Sequence, residues 1–266
     1  MLAYNHLGLL GRLGNQMFQY AALRGIAARR GYDFGIPPSD FKNEWDEHQL
    51  FETFDLPHLD VKNVRMLDQG HAPLAKEVQF EFDQRLFDQC PNDVSLWGFF
   101  QSEKYFAHIA DSIRQDFTFK FNILSACEEV FKTWDNPVSL HVRRTDYLQN
   151  SANHYNLGLD YYEKALENYD GRTILVFSDD PAWCVEQKLF EGDRFCVSET
   201  GDNRYDLCLM SMCKSHIIAN SSFSWWGAWL SGSDDVIAPK KWFGPQNEKK
   251  STRDLIPERW TLLDSE

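Results

Sequence analysis

From residue 138 onward, short apolar runs alternate with amphipathic stretches. "VSLHV" (138–142) reads as a strand. In "LDYYEKALENY" (159–169), Leu159, Tyr162, Ala165, Leu166 and Tyr169 recur at helical spacing, with Asp160 near the start. "TILVFS" (173–178) reads as a buried strand. "DDPAWCVEQKLF" (179–190) opens with an Asp cap and Pro181 in the first turn, a helix start. The same reading makes 194–198 a strand, 204–214 a helix, 216–220 a strand, 222–232 a helix ending near Gly232, and 235–239 a last strand. Apolar strands joined by helices through short connections predict a parallel sheet covered on both faces, a Rossmann-like domain.

The first half is less regular. "GNQMFQYAALRGIAARRG" (14–31) predicts a helix ending at Gly31, and "YDFGIP" a following strand. "EWDEHQLFETFDL" (44–56) fits no single period. "VSLWGFF" (94–100) reads as a strand. Residues 101–117 read as a helix capped by Ser102, with Phe106, Ile109, Ile113 and Phe117 on one stripe. A boundary within 120–137 divides the chain into two α/β domains with a cleft between them. The expected extents are 1–130, 131–245 and a tail, 246–266, packing back on the first domain.

Composition narrows the function. With 266 residues and 15% aromatics the chain can build a large core. Its formal net charge of −13 excludes broad nucleic-acid binding through phosphate neutralisation. The six cysteines form no C-x-x-C and no Cys/His zinc spacing, and read as small buried hydrophobes. The N-terminus lacks a basic segment followed by a long apolar run, and no window reaches about 18 apolar residues. The expectation is a cytoplasmic protein, at most peripheral to an inner membrane.

In an open parallel sheet, ligands bind beyond the carboxyl ends of the strands. Three polar clusters follow three predicted strands. Arg143, Arg144 and Asp146 follow 138–142, Ser178-Asp179-Asp180 closes 173–178, and "NSSFS" (220–224) follows 216–219. Ser221 and Ser222 stand where a helix begins, and unpaired N–H groups there favour an anion. The two arginines offer fixed charge and forked donors suited to phosphate. Asp179 or Asp180 could accept from a nucleobase or ribose, although Asp180 also suits plain helix capping. Together these read as a nucleoside-diphosphate site. No D-x-D occurs in the chain, so no divalent-ion cradle is expected. "GLLGRLGNQMFQYA" (8–21) is a glycine-rich turn entering a helix, neither a dinucleotide fingerprint nor a P-loop; Gly14 and Asn15 could let backbone approach a ligand. Trp225, Trp226 and Trp229 read as core rather than as a sugar platform, and His154 as a loop residue.

With these segments assembled, the chain resembles the α-1,2-fucosyltransferases of glycosyltransferase family 11. The matching stretches are "GRLGNQMFQYAALRG" (11–25), "WGFFQSEKYF" (97–106), "HVRRTDY" (141–147), "VFSDDPAWC" (176–184) and "DLCLMSMCKSHIIANSSFSWWGAWL" (206–230). The resemblance implies a GT-B-type architecture, an acceptor-side N-terminal domain and a C-terminal domain binding GDP-β-L-fucose. It implies inversion to an α-fucoside on a galactose 2-hydroxyl, without a metal, in membrane-associated glycan biosynthesis. By motif match, Arg143 and Arg144 would bind the diphosphate, and His141 with Asp179 or Asp180 would lie near the guanosine. Ser221 and Ser222, flanked by Asn220 and Phe223, would lie near the phosphates. Asn15, beside Gly14, would face the reacting sugar. Some enzymes of the wider GDP-fucose group carry a carboxylate after the Arg motif; here "LQNSANHYNLG" (148–158) has none. The candidate bases are His154, Asp146, Asp40 and Glu44. Two rival readings are a GT-B transferase using another sugar nucleotide and a non-catalytic glycan-binding protein on the same scaffold.

Overall fold

The computed structural model describes residues 1–38, 49–59, 67 and 72–264. Asp40, Glu44 and the first five residues of 44–56 lie outside the described residues. The chain divides into two compact units, Met1–Lys120 with Ser251–Ile256, and Phe121–Lys250 with Pro257–Glu266. The division therefore falls at 120/121, earlier than the expected 130/131.

Unit 1 is built on four parallel strands, β1 (Leu2–Ala3), β2 (Phe34–Gly35), β3 (Leu74–Lys76) and β4 (Val94–Trp97), in the order β2-β1-β4-β3. Helix α1 (Leu13–Arg30) ends as its sequence predicts. Gly31 adopts φ 67°, and its N–H returns to the carbonyls of Ala27 and Ala28. Short helices α2 (Leu50–Thr53) and α3 (Gln84–Gln89) follow. The helix expected over 101–117 begins instead as two 3-10 turns at Glu103–Tyr105 and Ala107–Ile109, and only Ala110–Asp116 is α-helical, as α4. The cause is a close approach: a Cβ on Gly25 of α1 would sit 1.9 Å from the Tyr105 carbonyl oxygen. That contact draws Tyr105 and Phe106 onto α1 and breaks the helical path. Residues 251–256 close this unit, where Asp254 pairs with Lys104 at 2.5 Å and accepts from the Phe82 N–H at 3.2 Å.

Unit 2 holds six parallel strands in the order β10-β9-β8-β5-β6-β7. They are β5 (Val138–Val142), β6 (Ile174–Ser178), β7 (Phe195–Val197), β8 (Ser215–Ile217), β9 (Val236–Pro239) and β10 (Thr261–Leu263). The helices are α5 (Phe121–Phe131), α6 (Thr145–Gln149), α7 (Leu159–Leu166), α8 (Pro181–Val185), α9 (Asn203–Met212) and α10 (Ser222–Ser231). The predicted alternation is present, with an added short helix, α6, between β5 and α7 and differences at β9 and α8. β9 is not last, since β10 pairs parallel beyond it, and α8 spans five residues before a 3-10 turn at Lys188–Phe190.

Every residue of β5 is buried, because both faces of the sheet are covered. Alternate positions Val138, Leu140, Val142, Ile174, Val176 and Ile217 pack with Tyr161, Tyr162 and Leu166 of α7. On the other face Ser139 Oγ lies 2.8 Å from His216 Nδ1, and His216 Nε2 lies 2.9 Å from Ser231 Oγ of α10. Trp225, Trp226 and Trp229 are core residues, 2% exposed or less. All six cysteines are free thiols. Among the described residues no helix is long and apolar enough to cross a membrane.

Candidate active site

β5 is flanked by β6 on one side and β8 on the other. The chain runs outward through β6 and β7 before crossing back to β8, which makes the β5–β8 boundary a topological switch point. The three polar clusters foreseen in the sequence meet here, at the carboxyl ends of three adjacent strands.

Asp179 organises the meeting. Its Oδ1 accepts from the Arg144 backbone N–H at 2.8 Å, and its Oδ2 from the Thr145 N–H at 3.1 Å and the Thr145 hydroxyl. Arg143 Nη1 lies 3.3 Å from the same Oδ2. Burial alone would raise this carboxyl's pKa. The Arg143 charge, the Thr145 hydroxyl and the Arg144 N–H outweigh it and hold the group below the usual carboxylate range. Asp180 caps α8, accepting from the Trp183 N–H at 3.3 Å, and its Oδ2 lies 3.3 Å from Arg144 Nε. Ser178 accepts from the Asp180 N–H at 2.9 Å. Ser178, Asp179 and Asp180 thus hold the arginine loop in shape.

The two arginines diverge. Arg144 lays its guanidinium over the Trp183 ring, 3.6 Å from the centroid. Arg143 turns toward Asp146, with Nη2 2.6 Å from Oδ1, and sits 5.3 Å from the centroid of Tyr147. The Tyr147 hydroxyl donates to the Asn220 carbonyl at 3.0 Å and also meets the Ser221 hydroxyl; burial pushes its pKa up to about 12. Tyr147 therefore ties the Arg143 loop to the start of α10.

At that start Ser221 is the N-cap, accepting from the Phe223 N–H at 3.3 Å. Phe223 packs 5.6 Å from the His141 ring. Burial, with the Arg143 charge adding, lowers the His141 pKa to about 3, so this imidazole is neutral. Its Nδ1 has no hydrogen-bond partner among the described residues. Asn220 donates to the carbonyls of Tyr155 and Trp242, both at 2.8 Å. Its amide N–H groups are clamps on the surrounding loops.

The cluster balances charge more closely than the sequence suggested, since two guanidiniums face Asp146, Asp179 and Asp180. Directional donors distinguish the edge. Arg143 Nε is buried without a hydrogen-bond partner among the described residues, and the first turn of α10 presents its N–H groups beside the Ser222 hydroxyl.

His154 stacks on Tyr147, with ring centroids 4.0 Å apart and planes 12° from parallel. Burial lowers its pKa, opposed by Asp146 and aided by Arg143 and Lys250, which favours the neutral ring at pH 7. Its loop is fixed by a backbone bridge to Phe243 and by the Gly244 N–H donating to Asn153 O at 2.9 Å. A Cβ on Gly244 would come within 2.4 Å of the Ser151 oxygen.

Gly14 and Asn15 belong to unit 1, in the first turn of α1. Gln101 Nε2 donates to Asn15 Oδ1 at 2.6 Å. Gly11 has φ 92°, and a Cβ there would lie 2.0 Å from Asn15 Nδ2. Sequence reasoning missed Thr145, Tyr147 and Trp183. Each stood within a quoted motif, but only tertiary contact reveals its work. Among the described residues no group of three or more His, Cys, Asp or Glu is placed to hold a metal ion.

Residues 77–264 match the family described as Glycosyl transferase family 11. The chain is 32% identical to the O-antigen biosynthesis glycosyltransferase WbnK of Escherichia coli, over 92% of this chain and 97% of that protein. It is also 32% identical to an alpha-1,2-colitosyltransferase of Escherichia coli, over 96% and 97%. The human galactoside alpha-(1,2)-fucosyltransferase 1 is 27% identical, over 85% of this chain and 65% of the human protein. Among solved structures, POFUT1 in complex with GDP aligns with a TM-score of 0.55 at 11% identity, covering 87% of this chain and 94% of that one. The fucosyltransferase NodZ from Bradyrhizobium aligns with a TM-score of 0.53 at 11% identity, covering 85% and 91%. The likeness to these structures is one of fold, a GT-B-type α/β architecture.

Proposed function

The chain belongs to glycosyl transferase family 11, and from that premise we propose that it transfers L-fucose from GDP-β-L-fucose to the 2-hydroxyl of a terminal β-galactoside. The acceptor oxygen bonds to fucose C1 as the C1–O bond to the β-phosphate breaks. GDP leaves with the electron pair, and the β-linked donor becomes an α-1,2-fucoside. The acceptor proton passes to a base.

One observation carries this reading: the buried Arg143 Nε–H, without a protein partner among the described residues, on the same sheet edge as the capped start of α10. Those donors suit the charge that grows on a departing diphosphate. A single preorganised donor of this kind contributes about 3 kcal/mol to barrier lowering. Arg144, stacked on Trp183, suits the nucleoside end of the donor. Of the two candidate bases in unit 2, His154 is neutral and braced by Tyr147, whereas Asp146 is engaged by Arg143. Asn15 is the unit 1 residue assigned to the reacting sugar. The scheme routes no step through a metal.

The 32% identity to a colitosyltransferase over 96% of the chain supports a second reading, a colitosyl donor on the same site. The test is incubation with GDP-fucose or the corresponding colitose donor and a panel of β-galactosides, with the linkage read by NMR. An α-1,2-fucosyl product supports the first reading, and product from the colitose donor alone the second. Glycan binding with no release of GDP from either donor overturns both.

A further inference from the structure

The carboxyl edge of the unit 1 sheet is also organised, by His6, which no quoted motif contains, and by Trp97, which opens the stretch "WGFFQSEKYF" (97–106). β1 and β4 are neighbours there, with Leu2 opposite Val94 and Ala3 opposite Ser95. Just past them His6 packs against Trp97, ring centroids 4.9 Å apart and planes at 77°. Both side chains are half-buried. The His6 ring makes no hydrogen bond to a described residue, and burial lowers its pKa and keeps it neutral. A neutral imidazole presents one donor and one acceptor, a pair suited to hydroxyl groups.

The platform beneath this pair is held firmly. The Trp97 carbonyl accepts from the Glu77 N–H at 2.9 Å. The Glu77 carboxylate accepts from the backbone N–H groups of Phe99 and Phe100 at 2.8 and 2.9 Å. Tyr4 and Gly98 exchange hydrogen bonds through the Tyr4 hydroxyl. A Cβ on Gly98 would lie 2.4 Å from Glu77 Cβ. Phe100 is fully buried at φ 53°, a conformation a bulky residue adopts only where its surroundings enforce it. This corner fixes Trp97 on one side and delivers Gln101, four residues on, to Asn15.

We infer that His6 and Trp97 form a sugar-ring subsite on unit 1, at which the indole takes the apolar face of the acceptor galactose and the imidazole bonds its hydroxyls. Galactose suits the pair chemically. Its axial C4 hydroxyl leaves the C–H groups of C3, C4 and C5 on one face, a small apolar patch that an indole covers. The remaining hydroxyls point outward, where a donor–acceptor pair can read them. The inference rests on the transferase reading, because it assigns the galactoside of that reaction.

The test compares wild type with Trp97→Ala, Trp97→Phe and His6→Gln. Acceptor KM and donor KM are measured separately, and GDP affinity is measured by calorimetry. Trp97→Ala is expected to raise acceptor KM roughly tenfold or more. Trp97→Phe should raise it less, and His6→Gln a few-fold, while GDP affinity stays within about twofold of wild type. Should Trp97→Ala fail to fold, Trp97→Phe with saturation-transfer NMR of the galactoside decides: loss of the galactose ring contacts supports the subsite. Unchanged acceptor KM in a folded Trp97→Ala, or unchanged ring contacts in Trp97→Phe, overturns it. If wild type transfers no sugar to any galactoside, the functional reading fails instead.

Discussion

The two parallel sheets end in polar edges of opposite design. In unit 2 the groups are bound to one another: Asp179 holds Arg143, the Arg144 backbone and Thr145, while Tyr147 joins Arg143 to the α10 start. In unit 1 the backbone is bound, and the His6 and Trp97 side chains are left unpaired among the described residues except with each other. Glu77 and Tyr4 fix the β4 corner, but the His6 ring has no hydrogen-bond partner among the described residues. A cross-paired edge suits a ligand of one fixed charge and shape, since a preorganised donor needs no rearrangement as charge develops. An open edge of aromatic and neutral polar groups suits neutral hydroxylated ligands, for which contact area and a few hydrogen bonds decide.

The largest expected effect strikes the cross-paired edge. Arg143→Ala should lose about a hundredfold or more in kcat with circular dichroism unchanged, because one preorganised donor is removed. Near-normal turnover would remove Arg143 from the chemistry. Next comes Gly11→Ala, which demands a strained φ of 92° and drives a methyl into Asn15. A displacement of about 1 Å can cost up to about a hundredfold in rate. A fall in kcat of roughly tenfold is expected, with GDP affinity retained, since the damage lies in unit 1. Initial rates and calorimetry on the same preparation separate the two.

Asp179→Asn sharpens the contrast through pH. The folded pKa of Asp179 is depressed, so its stabilisation is complete above the unfolded value of about 3.9 and fades as pH falls through the folded value. Urea unfolding should find the variant about 1–3 kcal/mol less stable at pH 7. The gap between the two proteins should narrow as pH drops below 4. A gap independent of pH would mean that the carboxylate charge is not what holds the loop. Tyr147→Phe keeps the ring against Arg143 and His154 but removes the bond to the Asn220 carbonyl. Its expected effect is about 1 kcal/mol, seen as a few-fold rise in donor KM. The smallest effect expected is none: activity in excess EDTA should equal that in buffer, and abolition by chelator would overturn the metal-free scheme.

What the sequence made legible follows from where the free energy lies. β6 and β9 are buried on both faces but for Ser178, so "ILVF" and "VIAP" are continuous apolar runs that stood out. β3 and β10 are partly exposed edge strands of three residues each, and "LAK" and "TLL" carry no comparable signal. The helix misread over 101–117 depends on Gly25, about eighty positions away, admitting the Tyr105 carbonyl. At the site, Arg143, Arg144 and the serine turn were visible because local rules place charge and caps at strand ends. The organising role of Asp179 was not, since its partners lie 34 and 35 residues earlier. His6 and Trp97 meet across ninety residues, and neither letter announces the other.

The excursion of residues 251–256 into unit 1 has a consequence for synthesis on the ribosome. The nascent chain can finish β1 to β4 early, yet Lys104 and the Phe82 amide wait for Asp254 to emerge. By then the chain has passed through β9, and only β10 is still to come. The half translated first is therefore completed almost last, and a stop codon near position 250 would leave both halves unfinished at once.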